Sequence, residues 1–250
     1  MVAFIIVIFR ILGFQSPVIF EIPIKWKQIK EEFSCYPIKI AVNIILGFCL
    51  LPFIHYDPAY NLSARVILEF VGLVVLMDTW FFWIHLLMHK SKFLYKWAHH
   101  QHHKSIVMSG LSSLSLSMLE DIILLGGWLG LFVAFDSLFG LSFIGCIAAL
   151  TFMFICNAAA HINLELNIMT NNPDLIDKTH ISRSLITSCT AHALHHARFN
   201  ENYGFYFTCW DRLMGTLSKD YDAVYRRVLK RQPMTNIHER IIEDGNPDQP

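Results

Sequence analysis

Nine of the 13 histidines lie in four short segments of the chain. They are spaced as one HxxxH motif, two HxxHH motifs and one isolated residue: His85 and His89; His99, His102 and His103; His161; His192, His195 and His196. Clustered imidazole usually binds a transition metal, and it suits zinc, iron, copper and nickel better than magnesium or calcium. One tetrahedral zinc takes about four protein ligands. Nine histidines therefore predict two metal ions that keep open coordination positions.

The remaining histidines carry less weight. His100 lies one residue away from the face that its neighbours share, and the sequence leaves open whether His100 or His180 is a ligand. His55 and His238 are expected to be solvated. A single histidine is more often a hydrogen-bonded core residue than a ligand, but three multi-histidine clusters argue against that interpretation here.

The spacing of the clusters predicts the elements that carry them. Residues three and four apart share one face of an α-helix, so each cluster is expected on a helical face. Asp78 precedes the first cluster within an apolar helix pattern, where it would orient a ligand histidine or serve in capping or packing. Asn202 and Tyr203 follow the last cluster. They would orient ligand histidines, or form a turn in which Gly204 supplies an unusual backbone angle.

The composition is that of a membrane protein. Hydrophobic residues make up 54% of the 250 residues and charged residues only 16%, with a mean hydropathy of +0.42. This is too apolar for an ordinary soluble domain. The formal net charge of +0 gives no electrostatic case for nucleic-acid binding. The six cysteines form no CxxC pair, which favours buried reduced thiols over a disulfide framework.

Four apolar stretches are long enough to cross a bilayer, and they are predicted at 37–54, 65–89, 108–135 and 140–160. The link at 136–140 is short, so the last two are expected to form a tight helical hairpin. Glu120 and Asp121 interrupt the third stretch. Its helix is expected to begin only near Ile122, or to be bent or partly buried in protein. Glu69 is expected at the membrane surface.

These patterns predict an all-α integral membrane protein. About four transmembrane helices would form two hairpins beneath a histidine-rich helical cap. Residues 1–36 are predicted to be an anchor or interfacial segment, 37–220 the membrane-embedded domain and 221–250 a polar tail. Lysines flank the histidine segments, whereas the loops at 55–64 and 136–140 contain no lysine or arginine. By the positive-inside rule the histidine clusters and the tail are cytosolic.

The histidine pattern resembles the fatty acid hydroxylase/sterol desaturase superfamily of membrane di-iron oxidoreductases. HxxxH, then HxxHH, then a distant HxxHH is the order found in that superfamily. The stretch at 192–216, HALHHARFNENYGFYFTCWDRLMGT, is similar to its C-terminal signature. The resemblance covers roughly residues 65–220. It implies that the eight histidines of the three motifs bind metal, and that His161 occupies the place of an additional ligand.

The resemblance implies an enzyme that hydroxylates or desaturates a lipid, such as a sterol, a sphingolipid or a fatty acyl chain. It implies two irons, O2 as co-substrate and no catalytic residue separate from the metal ligands. Electrons would come from cytochrome b5 or a similar reductase chain, because the sequence has no dinucleotide-binding or haem-attachment motif. The membrane would be the endoplasmic reticulum in a eukaryote, and a bacterial inner membrane fits equally well.

Two other interpretations remain open from the residues. A zinc-dependent membrane hydrolase would also use histidine ligands, and it would act without O2. A non-enzymatic metal-binding or transport protein would place its ligands along a path through the bilayer. The predicted clustering of the histidines on one side of the membrane counts against transport.

Overall fold

The computed structural model describes residues 16–50, 52, 64–166 and 185–241. It contains eight α-helices over these residues, and their only strand pairing is in isolated β-bridges. The helices are α1 Trp26–Leu50, α2 Arg65–Lys90, α3 Lys92–Trp97, α4 Met118–Phe139, α5 Phe143–Ala160, α6 Cys189–Arg198, α7 Cys209–Leu213 and α8 Tyr221–Leu229. Short 3₁₀ helices cover His99–Lys104 and Ser112–Leu114. The predicted all-α fold class is confirmed.

Four helices, α1, α2, α4 and α5, are long and apolar enough to cross a membrane. The predicted spans at 65–89 and 140–160 agree closely with α2 and α5. The first span begins earlier than predicted, at Trp26, because α1 continues through Pro37. A proline inside a helix removes one backbone hydrogen bond and crowds the carbonyl of residue i−4, yet α1 extends past Pro37 in both directions. The predicted loop at 55–64 lies outside the described residues except for residue 64, and so do residues 1–15 of the predicted segment 1–36.

The third span begins at Met118 and includes both acidic residues, so its helix does not begin only near Ile122. Of the alternatives that the sequence left open, partial burial in protein agrees with the structure. The Ser117 hydroxyl accepts a hydrogen bond from the Glu120 backbone N–H, 3.1 Å away, and so caps α4. Glu120 and Asp121 therefore lie in the first turn of the helix, where both are buried. The helix ends at Phe139, and the next residue, Gly140, has a φ of 70° in the left-handed region. The short link Gly140–Ser142 then leads into α5, as predicted. The tight hairpin expected of α4 and α5 is not confirmed, because the long helix that packs closely against α4 is α2.

The chain divides into two compact units. The central unit consists of the described residues within Glu31–His102 and Leu114–Asn157, and the terminal unit of those within Met1–Lys30, His103–Ser113 and Ala158–Pro250. In the central unit α2 packs against α4, where the Trp128 indole N–H donates to the Met77 carbonyl at 3.2 Å. Gly127 makes room for Trp80, since a Cβ at this position would lie 2.3 Å from the Trp80 ring.

Glu69, about one turn after the start of α2, is buried within the protein. Its side chain is 2% exposed and forms an ion pair with Arg65 at 2.8 Å. The Ser142 backbone N–H also donates to it, at 3.0 Å. A carboxylate in an apolar helix needs such partners when it is buried, and here they come from its own helix and from the turn before α5.

The terminal unit has a core of its own, formed where α6 packs against α8. Tyr221, Val224 and Val228 lie on one face of α8 and are almost completely buried. This helix occupies the start of the segment predicted to be a polar tail. The chain after it is tied back by Met234, whose backbone N–H donates to the Ile19 carbonyl at 2.8 Å. Residues 242–250 lie outside the described part of the chain.

Candidate metal centre

The first histidine motif lies in the last turns of α2. His85 and His89 are one helical turn apart, with ring centroids 5.0 Å from each other. The His99 ring completes a group of three, at 4.7 Å from His85 and 4.6 Å from His89. The Nε2 atoms of His85 and His99 are 3.0 Å apart. One ring nitrogen from each of the three lies within 4.8 Å of the others, which is close enough for one ion to contact all three.

The second motif was predicted to be α-helical, and this prediction is wrong. His99–Lys104 form a 3₁₀ helix, a tighter coil that is common in short connectors after an α-helix. Residues three apart eclipse one another in this geometry, so His99 and His102 lie on the same side with ring centroids 5.4 Å apart. His102 and His103 are buried.

The third motif lies on α6, as predicted, and it meets His161 at the end of α5. The Nε2 atoms of His161 and His192 are 3.0 Å apart. The His196 ring lies 4.8 Å from the His192 ring and 5.4 Å from the His161 ring. One ring nitrogen from each of these three also lies within 4.8 Å of the others. His195 turns toward His103 instead, with Nε2 atoms 3.1 Å apart.

Acceptors at the outer edge of three rings fix which nitrogen carries the proton. His99 Nδ1 donates to Glu120 Oε1 at 2.7 Å, His195 Nδ1 to the Glu201 carbonyl at 2.8 Å and His196 Nδ1 to the Ser105 carbonyl at 3.0 Å. Backbone carbonyl oxygens only accept hydrogen bonds, so Nδ1 must be the protonated nitrogen in His195 and His196, and an ionised Glu120 gives His99 the same tautomer. In the neutral rings Nε2 is then a lone-pair donor. Metal-bound histidines generally use this arrangement.

The donor set fits a transition metal. The residues grouped around each candidate position in the described chain are all histidines. In His99 and His195 the nitrogen left with a lone pair is the one that faces another imidazole at 3.0–3.1 Å. Such pairs of nitrogens repel unless a proton or a metal ion lies between them. Imidazole nitrogen favours zinc, iron, copper or nickel.

Sequence reasoning missed the role of Glu120, which was considered only as an interruption of a span. The signal was present, because Ser117 and Glu120 form the S-x-x-E pattern of a helix N-terminus. The serine caps α4 in the usual way. The glutamate binds His99 through its side chain, so the same short pattern both starts the helix and supports a histidine.

A second acidic residue that sequence reasoning missed supports α6. The Glu165 carboxylate accepts hydrogen bonds from the Thr190 backbone N–H at 2.7 Å and from its hydroxyl at 2.6 Å. An anion is stabilised at this position by the exposed N–H groups of the first helical turn. Burial raises the pKa of Glu165, and the bonds from Thr190 act in the opposite direction. This contact fixes the start of the helix that presents the third motif.

The signature after the third motif forms a compact turn around Asp211. The backbone N–H groups of Tyr203 and Gly204 donate to its two carboxylate oxygens at 2.8 and 2.7 Å, and the Thr216 hydroxyl donates at 2.6 Å. The positive φ in this turn belongs to Asn202, at 57°, and not to Gly204 as expected. Gly204 is required by space, since a Cβ there would lie 2.6 Å from the Phe207 carbonyl oxygen.

The three residues expected to orient ligand histidines are all buried. The Asn202 amide donates to the Ala191 carbonyl at 3.1 Å and accepts from the Ser218 backbone N–H at 2.7 Å, so its amide binds the backbone of α6. The Tyr203 ring packs edge-on against His195, with centroids 5.4 Å apart. Burial, with Asp211 and Glu201 nearby, raises the pKa of Tyr203 to about 12. Asp78 lies two turns before His85 on α2.

The other two described histidines, His100 and His238, do not belong to these groups. Both are exposed to solvent. His55 and His180 lie outside the described residues. The six cysteines all lie in the described residues and none of them is in a disulfide; Cys146 and Cys189 are buried.

Comparison with known proteins agrees with this geometry. The family model for fatty acid hydroxylase matches residues 70–216, a range that contains all nine clustered histidines. The chain belongs to the fatty acid hydroxylase family. As the superfamily resemblance predicted, the match starts within α2 and ends at Thr216, at the end of the signature. Helix α1 lies outside the part that the family model matches.

The relatives of this member of the fatty acid hydroxylase family are named for several different activities. A very-long-chain aldehyde decarbonylase of rice is 29% identical over 64% of this chain, and sphinganine C4-monooxygenase 1 of Arabidopsis thaliana is 31% identical over 64%. A Delta(7)-sterol 5(6)-desaturase of Leptosphaeria maculans is 30% identical over 63%. These matches cover 57%, 58% and 39% of the respective relatives. No solved structure matches the chain significantly.

Proposed function

We propose that this chain is a membrane-bound di-iron oxygenase that hydroxylates or desaturates a lipid. The observation that supports this most strongly is the arrangement of the buried imidazoles. Their Nε2 atoms face one another, while Glu120, Glu201 and Ser105 hold the outer nitrogens of three of them. The chain also belongs to a family whose named relatives include a lipid monooxygenase and a sterol desaturase.

The proposed ligands of the two irons are the nine clustered histidines: His85, His89, His99, His102, His103, His161, His192, His195 and His196. When bound, the irons would supply the activation of O2 that is needed to attack an unactivated C–H bond. Nine imidazoles would hold the two irons without filling all of their coordination positions, which would leave room for O2.

The protein orients the ligand histidines and excludes water from the site. Acceptors on three rings keep Nδ1 protonated and Nε2 free to bind metal, so ligand orientation does not have to be established when a metal enters. His195 and His196 are 0% exposed, and eight of the nine rings are buried. Excluding water in this way protects a reactive centre from side reactions.

The substrate is proposed to be a sterol, a sphingolipid or a fatty acyl chain that enters from the bilayer. Four helices that are able to cross a membrane support a lipid source. The relatives named for very-long-chain aldehyde, sphinganine and sterol substrates support the same class. Hydroxylation and desaturation both begin with removal of a hydrogen atom from carbon, and we favour hydroxylation by analogy with the family name.

The remaining parts of the proposal concern partners and location. Electrons would come from a separate donor such as cytochrome b5 or a reductase. The histidine clusters would face the cytosol, in the endoplasmic reticulum membrane if the source is eukaryotic. No nucleic-acid partner is proposed.

The proposal is tested by replacing one proposed ligand. His195→Ala removes a fully buried imidazole that lies between His103 and the Glu201 carbonyl. We expect it to abolish formation of the oxidised lipid at an unchanged protein level, as measured by lipid analysis of cells that express the chain. His238→Ala, at an exposed position, is the matched control and should keep activity. An unaffected lipid profile in His195→Ala would refute the oxygenase assignment.

A further inference from the structure

Helix α1 has a polar stripe that a helix crossing a membrane does not need for its own folding. The stripe consists of Gln28, Glu32, Cys35 and Lys39, which are spaced by four, three and four residues and so lie on one face. Glu32 is 1% exposed and Lys39 is 8% exposed. Buried charges within a membrane-spanning helix are costly, and they persist where they are paired and have a function.

Two residues of the stripe, Cys35 and Lys39, contact other segments of the chain. Cys35 contacts the 3₁₀ helix of the second histidine motif, and Lys39 contacts the start of α4. In the central unit, Lys39 Nζ forms an ion pair with Asp121 Oδ1 at 2.7 Å, with both side chains less than 10% exposed. One helical turn earlier, Cys35 Sγ accepts from the amide of Gln101 at 3.4 Å. Gln101 lies between His99 and His102 on the 3₁₀ helix. Helix α1 thus contacts both the histidine segment and the start of α4.

The Lys39–Asp121 ion pair lies next to Glu120, whose carboxylate contacts His99. Asp121 follows Glu120 directly in the first turn of α4, and the two residues are 3% and 1% exposed. Glu120 Oε1 accepts from His99 Nδ1 at 2.7 Å. Without Lys39, Asp121 would be a buried charge that has lost its ion-pair partner, which a protein avoids by rearranging locally. The first turn of α4 would move, and the Glu120 carboxylate would move with it.

We propose that Lys39 is a positioning residue for the metal centre. By pairing with Asp121 it fixes the first turn of α4, and through that turn it fixes the carboxylate that orients His99. The inference rests on the proposed function, in which His99 binds metal. It assigns a role to α1, which precedes the 70–216 range that the family model matches.

The test is zinc affinity of the detergent-purified chain, measured by competition with a chromogenic chelator. Lys39→Met keeps the length and apolar stem of the side chain and removes its charge. We expect its zinc affinity to fall about 10-fold, the lower end of the effect seen when a group that orients a ligand histidine is lost. Lys39→Arg should keep most of the wild-type affinity, and Lys39→Met/Asp121→Asn should recover part of the loss because it leaves neither charge unpaired.

A role in helix packing alone predicts a different pattern. In that case Lys39→Met would lower the thermal midpoint of the metal-free protein and leave zinc affinity unchanged, which would overturn the inference. Failure of the arginine variant to keep affinity would overturn it as well. If Lys39→Met does not accumulate, Asp121→Asn breaks the same ion pair from the other side, and wild-type affinity there would also overturn it.

Two controls separate this inference from the proposed function. Lys30→Met removes an exposed lysine from the same helix and should leave zinc affinity unchanged. If the wild-type chain itself fails to bind zinc or iron, the proposed metal centre fails. If the wild-type chain binds metal and the Lys39 variants bind it equally well, only the positioning role fails.

Discussion

The bond between His99 and Glu120 gives the sharpest test of how the histidines are held. Glu120→Ala removes the carboxylate that lies 2.7 Å from His99 Nδ1 and leaves the imidazole itself in place. A hydrogen bond to a charged group contributes about 1.5–3 kcal/mol. Since about 1.4 kcal/mol is a factor of ten in affinity, zinc or iron should bind about 10- to 100-fold more weakly, which agrees with the usual effect of losing such a group.

The assay is the same chelator competition on purified protein, with two comparison variants. Glu120→Gln keeps a hydrogen-bond acceptor at nearly the same place, so its affinity should fall between those of the wild type and Glu120→Ala. Asp136→Asn removes a buried carboxylate from the far end of the same helix and should leave affinity unchanged. Wild-type affinity in Glu120→Ala would refute the reasoning, because His99 would then not depend on its outer hydrogen bond.

Two further predictions concern the terminal unit. Gly204→Ala places a Cβ 2.6 Å from the Phe207 carbonyl oxygen and 2.8 Å from Asp211 Oδ2. It should destabilise the fold by about 1–3 kcal/mol and lower the thermal midpoint, whereas Gly126→Ala, which has open space, should not; equal midpoints would contradict the packing argument. Although burial acts in the opposite direction, bonds from Arg198 lower the pKa of Asp220 from 3.8 to about 2. A lowered folded-state pKa stabilises the protein above the unfolded value, and the stabilisation is lost as pH falls through the folded value. The pair should therefore contribute about 2 kcal/mol at neutral pH, and the difference in thermal midpoint between wild type and Asp220→Asn should shrink between pH 4 and pH 2; a difference that does not change with pH would contradict this linkage.

Much of the fold follows from local patterns in the sequence. Hydropathy located α2 and α5 closely, because a helix that crosses a bilayer must be apolar over its whole length. The third span was placed less well, since Glu120 and Asp121 were counted as polar interruptions. Their cost is offset by contacts with Lys39 and His99, which come from other elements. A hydropathy pattern contains no information about such partners.

The histidines themselves were recognisable because their type and spacing are unusual in an apolar chain. What holds them was not recognisable. The acceptors for His195 and His196 are the backbone carbonyls of Glu201 and Ser105. Every residue has a backbone carbonyl, so the residue types do not show which carbonyl will accept a hydrogen bond. The 3₁₀ form of His99–Lys104 was missed for a related reason, since HxxHH spacing is compatible with both helix types.

Metal content is the measurement that tests the central claim most directly. The chain would be purified in detergent under anaerobic reducing conditions, supplied with iron and analysed for elements. We expect about two irons per chain, as a di-iron oxygenase requires, and loss of bound iron in His195→Ala. A chain that retains zinc alone, and takes up no iron on reconstitution, would contradict the di-iron oxygenase assignment and favour a zinc hydrolase or a metal-binding protein.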